Sequence, residues 1–170
     1  LGLSIGATAQ PTASTSPGRQ ETAKSPFETA LSQLSYRSIG PAIMGGRTAD
    51  VEGVPGDPNV VYVGSASGGL WKTVNGGVTW KPIFERQGTI SIGDIALAPG
   101  NPDVIWVGTG ESNVRNSVSF GDGVYKSTDG GNTWQHVGLR DSERVSAVVI
   151  NPHNPDIVYV GALGHAFGPN

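Results

Sequence analysis

The chain has 170 residues, enough for one ordinary domain, with a net charge of -3 and only 15% charged residues. No basic block offers an electrostatic footprint for nucleic acid, and no apolar run approaches the roughly 18 residues of a membrane-spanning helix. Cysteine is absent, which removes disulfides, thiol catalysis and Cys-ligated zinc.

Gly (26) and Pro (12) are abundant, which predicts many short elements joined by turns. At the start, an apolar stretch from Leu1 to Gly6 precedes Ala7-Thr8-Ala9. It resembles the tail of a secretory signal peptide, with cleavage expected between Ala9 and Gln10. Residues 1–9 are therefore read as a signal tail, and the protein as secreted or periplasmic in a bacterium. Residues 10–35 read as a disordered linker, because Ser, Thr, Ala, Pro and Gln dominate without apolar periodicity. Phe27, Ala30, Leu31 and Leu34 stand at helical spacing, so a short helix is expected near the end of that linker.

A repeat then takes over. First strands are predicted at 48–54, 92–98 and 145–150, each followed by a Pro-containing turn. Second strands at 60–64, 104–108 and 157–161 are nearly continuous apolar runs, which predicts burial on both faces. Third strands are predicted at 70–73 and 124–127, and fourth strands open at Trp80 and Trp134. Pro58, Pro102 and Pro155 are spaced by 44 and 53 residues, and so are Gly64, Gly108 and Gly161. The longer second spacing arises from a ten-residue insertion between Gly108 and Tyr125 and the loss of one residue after Trp134. Strands keep their length and only loops vary, as expected of a repeat scaffold.

Four short antiparallel strands in a 44-residue unit is the period of a β-propeller blade. The expected fold is all-β, with blade 1 at about 48–85, blade 2 at about 92–139 and part of blade 3 at about 145–170. Propellers have at least about four blades, so these residues are expected to form the N-terminal portion of a larger ring.

The third and fourth strands are joined by Ser127-x-Asp129-x-Gly131-x-Thr133-Trp134 and, 54 residues earlier, by Thr73-x-Asn75-x-Gly77-x-Thr79-Trp80. The glycines supply positive φ for a tight corner. The Asp129 carboxylate can accept backbone N–H groups, Ser127 and Thr133 can close the loop, and Trp134 can anchor it. Asn75 keeps the acceptor oxygen without the charge, which a nucleophile or general base would not tolerate, so these ten residues are read as structural. They resemble Asp boxes, also called BNR repeats, which occur in sialidases, xyloglucan-hydrolysing propellers and the sortilin-type receptor propeller. The wider run from Gly40-Pro41-Ala42-Ile43-Met44-Gly45-Gly46-Arg47 to Gly161-Ala162-Leu163-Gly164-His165 is similar to exported bacterial proteins described as sortilin-like or glycosyl-hydrolase-like BNR-repeat proteins. The resemblance covers residues 36–170 and implies fold more than activity.

In a blade, the loops between strands two and three and those leading to the next blade share one face, and the box corners lie on the other. The variable loops all fall on the first face. They would gather Arg47, Glu111, Asn113, Arg115, Asn116, Asp122 and His165 as ligand-binding candidates. Arg47 and Arg115 can clamp an anion bidentately. Glu111 and Asp122 can serve as an acid/base pair or join the Asn side chains around Ca²⁺, or can simply pair with Arg115 to tie down the insertion. No loop spacing matches a known metal site, and no pattern calls for a cofactor.

Two departures weigh against transferring activity from the resemblance. Sialidase-type propellers carry an Arg-Ile-Pro triplet, where this chain reads Arg37-Ser38-Ile39-Gly40-Pro41. Xyloglucan-hydrolase propellers carry a catalytic Asp in a Thr-Asp-x-Gly-Gly string, where this chain reads Ala66-Ser67-Gly68-Gly69-Leu70. Ser67 cannot replace a carboxylate in the two-carboxylate scheme. The expected function is recognition of a peptide, protein or glycan on the loop-bearing face, with a glycoside hydrolase as the alternative.

Overall fold

The computed structural model describes Ser25, Thr29, Ser32 and residues 46–113 and 117–166. The signal-like tail, nearly all of the 10–35 segment, the Arg37–Pro41 string, Arg115 and Asn116 lie outside the described residues. The chain divides into two compact units, Leu1–Ile39 and Gly40–Asn170. In the first, the Thr29 amide donates to Ser25 O at 2.9 Å, an i to i−4 helical bond within the expected short helix.

The described residues of the second unit form ten strands in three antiparallel sheets. Blade 1 is β1 (Thr48–Val54), β2 (Asp57–Ser65), β3 (Gly69–Thr73) and β4 (Lys81–Pro82), paired in that order. Blade 2 repeats the meander as β5 (Ile92–Ala98), β6 (Asn101–Thr109), β7 (Val124–Ser127) and β8 (Gln135–Gly138). In blade 3, β9 (Val145–Ile150) pairs with β10 (Val158–Ala162). The fold is a β-propeller of four-stranded blades.

The first hairpins are tighter than the sequence suggests. Val54 pairs with Asp57 and Ala98 with Asn101, so Pro55-Gly56 and Pro99-Gly100 are complete two-residue turns. Gly56 and Gly100 take φ of 84° and 77°, the positive value that the second corner of a Pro-Gly turn needs. Blade 3 has no Pro-Gly pair there. Its longer turn uses side chains instead, the His153 amide donating to Asn151 Oδ1 at 2.8 Å and the Asp156 amide to Asn154 Oδ1 at 3.1 Å.

Each seam between blades has its own core. Tyr62, Leu70 and Phe84 of blade 1 meet Ile92, Ile95, Ile105, Val107 and Tyr125 of blade 2. Ala96, Ala98 and Val124 of blade 2 meet Val145, Val148 and Ile150 of blade 3. Strand β6 is therefore covered on both faces: Ile105 and Val107 belong to the first core, while Val104 and Trp106 pack against the second. The outer second strand β10 departs from the expected two-sided burial, since Tyr159 is 62% exposed.

The repeated glycines mark where blades touch. A Cβ at Gly64 would stand 2.5 Å from the Ile92 side chain, and one at Gly108 would collide with Val145. The repeated Gly64 and Gly108 therefore record a steric demand of the seam rather than a turn. Aspartates on the first strands add a brace. Asp50 Oδ2 accepts the Ile95 amide of blade 2 at 2.9 Å, and Asp94 Oδ2 accepts the Val148 amide of blade 3 at 2.7 Å. Burial, and then the charge of Asp50, push the Asp94 carboxyl up from its ordinary value, although the Val148 amide pulls against them.

Both box corners close as their side chains dictate. In the second, Asp129 Oδ1 accepts the Ser127 hydroxyl at 2.8 Å and the Thr133 amide at 2.8 Å, and Oδ2 accepts the Thr133 hydroxyl at 2.6 Å. Ser127 Oγ accepts the Gly131 amide at 2.9 Å. Thr73, Asn75, Gly77 and Thr79 close the first in the same way, with Asn75 Oδ1 accepting the Thr79 amide at 2.9 Å, except that the Asn75 side-chain amide donates to Thr79 Oγ1 at 2.9 Å where the Thr133 hydroxyl donates to Asp129. Trp134 Nε1 donates to Ile83 O of blade 1 at 2.7 Å and its ring packs edge-on against Phe84, so the corner also ties the seam. Trp80, its counterpart, is 40% exposed.

The Thr133 hydroxyl, followed by the Thr133 amide and the Ser127 hydroxyl, holds the Asp129 carboxyl down to about 2. A depressed carboxyl contributes stability that is present above its ordinary value of 3.8 and is lost as pH falls through the folded value of about 2. Asp129→Asn reproduces the first corner. It is expected to flatten the fall in stability between about pH 4 and pH 2, read from thermal melts across that window. An unchanged acid limb would contradict this role for Asp129.

Candidate ligand-binding face

The residue before each first strand organises the loop-bearing face. Arg47, Ser91 and Arg144 occupy this position in the three blades. Each carbonyl accepts an amide from the loop after the second strand: Ala66 to Arg47 at 2.8 Å, Gly110 to Ser91 at 2.8 Å and Leu163 to Arg144 at 2.8 Å. The three side chains then reach into the loops. Their shared position was readable from the repeat, but three different residue types gave no composition signal.

Arg47 of blade 1 pairs with Glu111 of blade 2. Glu111 is buried, its Oε2 accepts the Ser119 amide at 3.3 Å, and its own amide donates to Ser119 O at 2.9 Å. Ser91, 1% exposed, places Oγ 2.7 Å from Ala66 O and 3.0 Å from Ser119 O, so one hydroxyl serves loops of both blades. Arg144 is 5% exposed and directs Nε to Gly164 O at 3.0 Å and one Nη to His165 O at 2.9 Å. It clamps the last described loop of blade 3 through carbonyls.

Asp122 stands among other partners. Its Oδ2 accepts the Tyr125 hydroxyl at 2.7 Å, its amide donates to Thr109 Oγ1 at 2.9 Å, and Arg140 lies 3.9 Å away. Burial, then the Asp122 hydrogen bond and charge, push the Tyr125 hydroxyl up to about 12, so it stays a neutral donor at all ordinary pH. Thus Glu111 pairs with Arg47 and Asp122 with Tyr125 and Arg140, each through its own element. Arg115, one partner the sequence offers for both, lies outside the described residues, as does Asn116.

Asn113 is exposed on the same loop. His165 Nδ1 lies 2.6 Å from Glu143 Oε1, joining the blade 3 loop to the segment before β9. That segment carries two non-glycine residues at positive φ, Leu139 at 58° and Glu143 at 52°, a conformation that costs energy and needs a framework to hold it. The framework is on hand: the Gly121 amide donates to Glu143 O at 2.7 Å. Ser67, at the place of the xyloglucan-hydrolase carboxylate, is exposed on this face beside Gly46.

Chemically, the face offers hydroxyls, amides, carbonyls and an arginine, while two of its carboxylates are committed to internal partners. Among the described residues no group of three or more His, Asp or Glu side chains is set to hold a metal ion. Among the same residues no helix is long and apolar enough to cross a membrane.

No protein-family model and no curated protein matches the chain. The structure is similar to the crystal structure of an ancestral GH74 enzyme, with 27% identity and a TM-score of 0.57 over 71% of this chain. A GH74 enzyme of Niastella koreensis is matched over 59% of this chain, with 24% identity and a TM-score of 0.46. The chain spans 17% and 15% of the lengths of those two structures.

Proposed function

We propose that this chain belongs to a glycoside-hydrolase-like β-propeller and that its loop-bearing face binds a glycan. The observation that carries this reading is the 27% identity to the ancestral GH74 enzyme over 71% of the chain, on a matching blade scaffold. The polar, hydroxyl-rich loops suit a sugar, whose recognition rests on neutral hydrogen bonds as much as on charge.

On this reading the described residues bind and position, and proton transfer belongs elsewhere in the ring. A glycosidase needs two carboxyl groups flanking the scissile bond. Glu111 is buried against Arg47, and Asp122 is held by Tyr125.

Ser67 favours a second reading, a sortilin-like recognition module that binds a peptide, protein or glycan without cleaving it. Calorimetry with xyloglucan oligosaccharides, sialyllactose and a mixed peptide pool separates the two, with reducing-sugar release as a second readout. Saccharide binding is expected. Retention of peptides with no heat from any saccharide would replace the first reading by the second.

A further inference from the structure

A groove of about 300 Å³ lies between the end of blade 1, with the connection that leaves it, and the box corner of blade 2. Its origin is local. Pro82 has no N–H to continue the ladder, so β4 stops after two residues. The Ile83 amide still reaches Leu70 O at 2.9 Å, and the chain then swings out through Glu85, Arg86 and Gln87. Facing it, Gly131 contributes no side chain, and a Cβ there would press on Ile83 Cδ1 at 2.6 Å. Trp134, fixed by its bond to Ile83 O, lines the groove together with Ile83.

The polar lining is unbalanced. Lys81 and Arg86 are exposed and face one carboxylate, Glu85, giving a local surplus of one positive charge on a chain whose net charge is -3. Among the described residues neither cation joins an ion pair, and Glu85 joins none either. Asn132, exposed and also in the lining, donates its side-chain amide to Asp129 O at 2.6 Å.

We propose that this groove is a second binding site, for a small organic carboxylate. The Arg86 guanidinium matches a carboxylate in a bidentate fork, Lys81 adds a second charge, and Trp134 with Ile83 receives the carbon framework. The volume sits at the lower end for small-ligand sites, the size of a single sugar acid or acidic side chain. Its lining shares no residue with the candidate ligand-binding loops, so it stands independently of that assignment.

The test is an amide and indole NMR titration of the full chain with glucuronate, with N-acetylglutamate and with neutral glucose. At least one carboxylate is expected to shift the Trp134 indole and the Gly131 and Asn132 amides, while glucose leaves them unmoved. A larger response to glucuronate assigns the source to acidic sugars, and a larger response to N-acetylglutamate assigns it to acidic peptides. Arg86→Ala, an exposed change that leaves the blade 3 resonances in place, is expected to weaken binding about tenfold or more, with partial recovery in Arg86→Lys. No shift with either carboxylate, equal shifts with glucose, or undiminished affinity in Arg86→Ala would overturn the proposal.

Discussion

Gly93→Ala is expected to cost about 3 kcal/mol or more, because overpacking that cannot be relieved by a rotamer change lies at the high end of its range. A Cβ at Gly93 would collide with Val145 O and stand 2.5 Å from Gly110 O. Both are backbone atoms, and both are fixed. Gly93 lies at the register shift where β5 enters the sheet, under the loops that follow β6 and precede β9. The change therefore spreads the blade 2 and blade 3 backbones where Gly110 and Glu143 support the ligand face. Gly53→Ala is the control. It also sits in a first strand, but a Cβ there meets nothing within 4 Å. Its effect should be close to zero or slightly stabilising through the unfolded chain. Urea unfolding of both variants checks this, and equal midpoints would contradict the steric account.

Glu111→Ala should lower stability by about 2–3 kcal/mol, less than the full cost of breaking a buried pair because the Arg47 side chain is 38% exposed and can be rehydrated. For a domain of this size that is a fall of roughly 4–12 °C in Tm. Three things are lost together: the carboxylate partner of Arg47, the acceptor of the Ser119 amide, and the link from blade 1 to the blade 2 insertion. Arg47→Ala leaves the buried Glu111 carboxylate without its partner and should cost at least as much. The double variant should cost less than the sum, since neither partner is then left alone. A Glu111→Ala protein that melts like the wild type would show that the carboxylate is free rather than structural.

The sequence reveals most of what is local. Pro-Gly turns and the box corners each follow from the backbone demands of one or two residues, and the repeat spacing of the glycines sets the register, so the blades could be read directly. The partners across the seams could not. Arg115, four residues from Glu111, is the natural partner along the chain, yet Arg47 reaches Glu111 from 64 positions away because blade packing brings them together. Asp50 and Asp94 stand at one repeat position, visible in hindsight, but an Asp on an alternating strand reads first as a solvent-facing residue. The common role of Arg47, Ser91 and Arg144 was hidden by their different chemistry. Their shared work emerges only when the carbonyl bonds to Ala66, Gly110 and Leu163 are seen side by side.

The account rests on the loop-bearing face as the glycan surface, with the box corners as scaffold. Hydrogen exchange of the full chain with and without a neutral xyloglucan oligosaccharide tests this most directly. Protection is expected at Gly110–Asp122 and Leu163–His165, with the corners at Thr73–Trp80 and Ser127–Trp134 unchanged. Protection confined to those corners, with the loops exchanging as before, would contradict it.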